Sequence, residues 1–471
     1  MKRYLLGITA TLLFVAAGLC LTAFRGELDR YEQQHPEKVS KETAEADTPE
    51  LDDEYNSFYE VGVFETDLPV IYITSDQFIE KDIPINCRVS LLNAANDGTV
   101  HRVDEKADIS FDASIRIRGA SSSHFEKSQY RIKLLKDTES GAERKYDFFG
   151  MGSESEWVLN GPFLDKTLAR NYIAYNLAAE HMEWAPESRY VELFVNGQYR
   201  GVYLVTEPVS NGTGRLRLSK FGLLNGETAY IVSRDRDASD TDPLQNYGTV
   251  NKRTYYSLYV EYPGKANITD SEYAWIENDI SEFEEVLFSD SFADPEKGYA
   301  KYIDVDNFVD YFIINEVFMI HDADVLSTYV YKELGGKMKL TVWDFNNGLD
   351  NYQWFAEDYE EFFLASGSWF RWLIRDRAFV DRIVARYRDL RKTTYDTAHI
   401  FQILDSTTEL LGDAVERNFK IWGYTFNMNL LVGSKRNPRS YEKALEQFRE
   451  TLTTRIEFLD EHITDLYDYC K

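Results

Sequence analysis

The chain has 471 residues, a formal net charge of −28 and 44% hydrophobic residues, with 32 Tyr and 29 Phe. That length predicts one large or two closely packed domains, and the apolar content excludes a globally disordered chain. The acidity excludes a nucleic-acid backbone as partner and suits a soluble protein in an open or salty compartment, or one with a basic protein substrate.

Lys2 and Arg3 precede an almost uncharged run over residues 4–24, closed by Arg25. The run is long enough to span a bilayer as a helix and reads equally as a secretory signal peptide. Residues 1–25 are therefore expected to be a signal peptide or a membrane anchor. Either one sends the rest of the chain out of the cytoplasm, held to the membrane if the helix is not cleaved. Leu19 directly before Cys20 disfavours a lipid-attachment site. Residues 26–58 are strongly acidic, with almost no apolar periodicity, and are expected to form a disordered tether. Of the three cysteines, only Cys87 and Cys470 fall in the folded part, and their spacing supports neither a disulfide nor zinc.

From about residue 59 the pattern is mainly that of strands. Residues 68–74 are a short apolar run, and 114–118 alternate, with Ile115 and Ile117 against Arg116 and Arg118. After Gly119-Ala120-Ser121-Ser122-Ser123 a second alternating strand places Tyr130, Ile132 and Leu134 on one face. Lys127, Arg131 and Lys133 share the other parity. Asp165 is a fitting N-cap for a helix running to about His181, with a stripe of Leu168, Tyr172, Tyr175, Ala179 and Met182. Asn196-Gly197 between apolar runs predicts a β-hairpin. Beyond about residue 270 the chain turns helical, over 304–320, 355–395, 397–423 and 439–468. The fold class is α+β, with a β-rich lobe over about 59–265 and a helical lobe over about 266–468.

The chemistry concentrates in two acidic clusters, each after an apolar run: His321-Asp322-Ala323-Asp324 and Trp343-Asp344-Phe345-Asn346. Carboxylates at the ends of buried elements suit a hard cation such as Mg²⁺ and can orient a hydroxyl, the needs of phosphoryl transfer. Asp322 and Asp324 lie two apart, so in an extended loop both point to one side. Either could be the base, with the other in a metal or supporting role. Asp344 follows a short strand where burial is expected, and a buried carboxylate needs a partner. The Gly/Ser turn 119–123 can offer backbone N–H groups and hydroxyls to an anion, with Lys127 or Lys133 adding charge. An ordinary polar hairpin with solvated lysines is the plain alternative. Glu207, at the end of the apolar run 201–206, reads as a strand-end carboxylate or a ligand contact at a hinge.

In order along the chain, several segments resemble the CotH family of spore-coat-type kinases. They are Arg118-Gly119-Ala120-Ser121-Ser122 with Lys127-Ser128-Gln129-Tyr130-Arg131-Ile132-Lys133-Leu134, and Trp157-Val158-Leu159 with Asp165-Lys166-Thr167-Leu168-Ala169-Arg170-Asn171. The segment from Val191 through Asn196-Gly197 to Glu207, then Trp343-Asp344-Phe345-Asn346, then Arg417-Asn418 with Trp422 and Arg455, continue the match. The resemblance implies an atypical protein-kinase-like fold that transfers phosphate from ATP, with Mg²⁺, to Ser or Thr of a surface or coat protein. It implies that Arg118, Gly119, Ser121 and Ser122 belong to a nucleotide-covering loop and that Lys127 or Lys133 touches phosphates. The strand ending at Glu207 would lead into a hinge. Asp322, or Asp324 by a two-residue shift, would take the catalytic-loop position, and Asp344 the metal position. The chain departs from the family pattern twice. Asn346 stands where a second Asp is usual, and Ser327-Thr328 where an Asn is usual. A silent coat-assembly scaffold, or a transferase acting on a glycan, are the other functions such a chain could have.

Overall fold

The computed structural model describes residues 61–219, 226–236 and 241–471. The expected export segment and tether lie outside the described residues. Among the described residues, no helix is long and apolar enough to cross a membrane.

Seven strands form a closed barrel: β1 (Val70–Thr74), β2 (Ile85–Leu92), β3 (Ile109–Ile117), β4 (Tyr130–Leu135), β5 (Glu156–Asn160), β6 (Ser188–Val195) and β7 (Gln198–Thr206). The order around the barrel is β6-β7-β5-β4-β3-β2-β1, and β1 closes on β6 in parallel with Val70 opposite Glu192. The two-residue alternation sends Ile115, Ile132 and Leu134 inward and leaves Arg116, Arg131 and Lys133 outside. Inside, Trp157 stacks on Phe148 with centroids 5.0 Å apart. The expected hairpin joins β6 to β7, with Asn196 and Gly197 both at positive φ. Cys87 lies buried in this barrel, and neither it nor Cys470 forms a disulfide.

Helix α1 (Arg170–Ala179) starts later than the sequence suggests. The Asp165 carboxylate accepts from the Thr167 and Arg170 amides and from the Arg170 guanidinium, so it organises the turn before the helix. The predicted single stripe is also corrected: Ile173, Ala174, Tyr175, Leu177 and Ala178 are all buried, whereas Ala179 is exposed. The helix is packed on most of its circumference, which removes the one-sided pattern.

A second sheet contains β8 (Tyr230–Arg234), β9 (Leu258–Tyr262), β10 (Thr328–Lys332) and β11 (Lys339–Thr341), ordered β9-β8-β10-β11 and antiparallel throughout. Its last two strands lie in the lobe expected to be mainly helical; β11 falls in the short strand expected before Trp343, whereas β10 was not foreseen. Thr-Tyr-Val-Tyr-Lys alternates β-branched and aromatic residues and is too short for a stable helix. The longer helices that follow are α2 (Asp270–Leu287), α3 (Val305–Val317), α4 (Arg377–Leu390), α5 (Thr397–Leu411), α6 (Asp413–Trp422) and α7 (Tyr441–His462). All but α6 share with α1 and one face of the second sheet a large apolar core.

Helix α6 returns to the barrel and packs on β7. The Asn418 Oδ1 accepts from the Val202 amide at 3.1 Å and from Lys127 Nζ at 2.7 Å. The approach requires glycine at 201: φ is +87°, and a Cβ there would lie 2.4 Å from Asn418 Oδ1. Arg417 adds a bidentate pair with the buried Glu192 at 2.9 and 3.0 Å.

Candidate active site

One face of the second sheet is defined by its register. Ile231 and Lys339 flank Tyr331, and Ser233 and Thr341 flank Tyr329. Trp343 continues that face past β11, with its ring 5.8 Å from Tyr329 and 6.3 Å from Tyr175 of α1. From the barrel side, the Arg118 guanidinium lies over Trp343 at 5.5 Å. The end of the β3–β4 hairpin is thereby brought to the end of the second sheet. Gly119 (φ +103°) makes the turn possible, because a Cβ there would collide with Ser122 Oγ at 2.1 Å. Ser121 is exposed at this turn, and a short 3₁₀ turn, Ser122–His124, follows.

Asp344 sits in the left-handed region (φ +63°), and its amide donates to the Tyr175 hydroxyl at 3.2 Å. Burial pushes its carboxyl above the usual range, Arg118 opposes the rise, and Asp235 adds to it. Asp322 follows α3 in the turn over 321–326. Burial, and then the charge of Asp344, push its carboxyl up to about 7. Neither forms an ion pair among the described residues. The Asn346 Oδ1 is buried with no hydrogen-bond partner, while its carbonyl accepts from Asn351 at 2.7 Å. Asp322, Asp344 and Arg118 are thus brought into one electrostatic neighbourhood, with Asn346 two residues beyond Asp344.

Asp324 is placed elsewhere, and the expectation that it shares a side with Asp322 is corrected. Its φ is +58°, and the segment is a tight turn rather than extended chain. Asp324 Oδ1 binds Arg234 Nη1 at 2.7 Å, and Oδ2 accepts from the Trp369 and Phe370 amides at 2.5 and 2.9 Å. Both oxygens are occupied in the core. Lys127 is buried and aimed at Asn418, with its ammonium 5.3 Å from the Tyr203 ring centroid. Lys133 pairs with Glu143 at 2.6 Å on the outer face of the barrel. Glu207 is buried, pairs with Arg215 and accepts from the Glu187 amide at 2.8 Å. Arg215 in turn lies over Trp157 at 4.3 Å. These three side chains are engaged in the barrel and its flanks rather than gathered with Asp322 and Asp344.

Sequence reasoning missed Asp235 and Arg236, whose charges both act on Asp322. The signal was present, since they follow the apolar run of β8 as the other acidic clusters follow theirs. At the other end of the same sheet face, a cavity of about 340 Å³ is lined by Trp184, Leu216, Leu218, Tyr331 and Lys339 among others. It does not include the carboxylates.

Among the described residues, no group of three or more His, Cys, Asp or Glu is placed to hold a metal ion. Mg²⁺ needs fewer protein ligands, because it keeps waters and takes phosphate oxygens. Two half-buried carboxylates outside any ion pair and one unpartnered amide oxygen are hard oxygen donors that fit it.

A family profile described as CotH kinase protein matches residues 115–459. No curated protein matches the chain. Since the matched region covers most of the sequence, the chain belongs to the CotH family.

Proposed function

We propose that this CotH-family chain is an atypical protein kinase that moves the terminal phosphoryl group of ATP to a Ser or Thr hydroxyl of a surface or coat protein. The observation that carries the reading is the pair of half-buried carboxylates, Asp322 and Asp344, held without an ion-pair partner and with the charge of Arg118 acting on Asp344. Asp344, with Asn346 Oδ1, would hold Mg²⁺, which would supply charge neutralisation at the phosphates. Asp322 orients the acceptor hydroxyl and receives its proton as the oxygen bonds to the terminal phosphorus and the bond to ADP breaks. Arg118 and the amides of the turn from Gly119 to Ser122 suit the phosphates, in preference to Lys127 and Lys133, whose ammonium groups are already engaged. The cavity beside Trp184 and Tyr331 lies on the same sheet face and suits a base. The apolar run over 4–24 supports action outside the cytoplasm.

Incubation with terminally labelled ATP, Mg²⁺ and a mixed pool of Ser and Thr peptides tests the reading. Label transfer by the wild type, none by Asp322→Asn and retained nucleotide binding in that variant would support it. Equal transfer by both would overturn the role of Asp322. The second reading, a silent assembly scaffold, is favoured by Ser327-Thr328 standing where the family has an Asn. It predicts no transfer by any form.

A further inference from the structure

A second cavity, of about 690 Å³, lies at the junction of α5, α6 and the start of α7. It shares no residue with the site above. Its floor is aromatic: the Phe419 ring is 4.6 Å from Phe426 and 5.8 Å from Tyr441. Val415 lines it, and Leu410, 46% exposed, is two residues before the lining Gly412. The rim is acidic. Asp413, Glu416 and Glu442 line the groove against a single cation, Lys420, which is itself tied to Glu416 at 2.8 Å. Glu416 and Glu442 both titrate below their ordinary values, held there first by the Lys420 and Ser440 side chains respectively, so the rim keeps its charge near neutral pH.

We infer that this groove is a docking site for a protein segment that carries apolar side chains flanked by Lys or Arg. The apolar floor supplies the driving force, roughly 25 cal/mol per Å² removed from water. The rim selects the sign of charge: phosphates, nucleotides and acidic segments are repelled, and a basic segment is attracted. A net charge of −28 draws basic partners to the whole surface, and the groove gives one of them a defined seat. A helix with apolar residues on one face and lysines beside them is the simplest occupant. The inference stands apart from phosphoryl transfer by Asp322 and Asp344, and its test reads binding alone.

The probe is a short fluorescein-labelled peptide of Leu and Lys at helical spacing, titrated against the full chain and followed by anisotropy. The groove variant is Asp413→Asn/Glu416→Gln/Glu442→Gln. The control variant, Glu139→Gln/Asp290→Asn/Glu296→Gln, removes the same charge from exposed positions outside the lining. Saturable binding, weakened about tenfold or more by the groove variant and little by the control, is expected. Val415→Asn, which leaves the charge alone, is expected to weaken binding as well. Equal losses in the two triple variants would reduce the effect to general attraction and overturn the inference. So would equal binding of a Lys/Ser peptide without Leu, or no saturable binding.

Discussion

Asp322 and Asp324 are separated by one alanine and have opposite surroundings. Asp324 fills both oxygens with Arg234 and two amides, so Asp324→Asn removes one partner of a buried pair and is expected to cost about 3–5 kcal/mol in urea unfolding. Asp322→Asn removes a carboxyl that burial and Asp344 already disfavour, so stability should hold or rise while phosphoryl transfer is lost. The same shift sets a pH dependence. A carboxyl raised to about 7 is protonated below that pH, and its protonated form favours the fold there. That contribution is lost as pH rises through about 7, whereas the charged form that serves a base or a metal appears. Transfer activity of the wild type is therefore expected to rise with pH through about 7, with none at any pH in Asp322→Asn. Residue types at these positions were legible in the sequence. Their directions were not, because a two-residue spacing predicts a shared side only in extended chain, and residues 321–326 form a turn.

At the scale of elements, Asn418 with the buried Lys127, and Arg417, fasten α6 to the barrel, and the buried Lys166 ties the turn after α6 to the loop after β5. Lys166 Nζ donates to the Phe163 carbonyl at 2.7 Å and to Thr425 Oγ1 at 2.6 Å, with no carboxylate in contact. Burial pulls it down to about 7. An amine lowered in the folded state binds fewer protons than the unfolded chain between about 7 and its ordinary value near 10.5, so stability should rise with pH across that window. Lys166→Met is expected to flatten the rise in denaturation profiles. Gly201→Ala brings both a positive φ and a clash with Asn418, and is expected to cost about 2–4 kcal/mol. Local elements were legible: the Asn196-Gly197 hairpin from its turn residues and the β3–β4 pair from alternation. The pairing of β8 with β10 was not. It joins strands far apart in sequence, and no short-range pattern encodes such a contact.

For the whole molecule, one sheet face joins a cavity at one end to two half-buried carboxylates at the other, with the barrel's Gly/Ser turn above the carboxylate end. The lobes were legible as an early run of strands and a late run of helices. The shared sheet face was not, because it is assembled from strands on both sides of that division. If the cavity takes the base, Leu218→Trp, which adds bulk at its partly exposed wall, should weaken ATP at least about tenfold with little change in thermal stability. The most direct test is calorimetric titration of the full chain with ATP, with and without Mg²⁺, beside Asp344→Ala. Mg²⁺-dependent binding that disappears in the variant is expected. Binding that ignores Mg²⁺ and survives Asp344→Ala, or none in either protein, would contradict it.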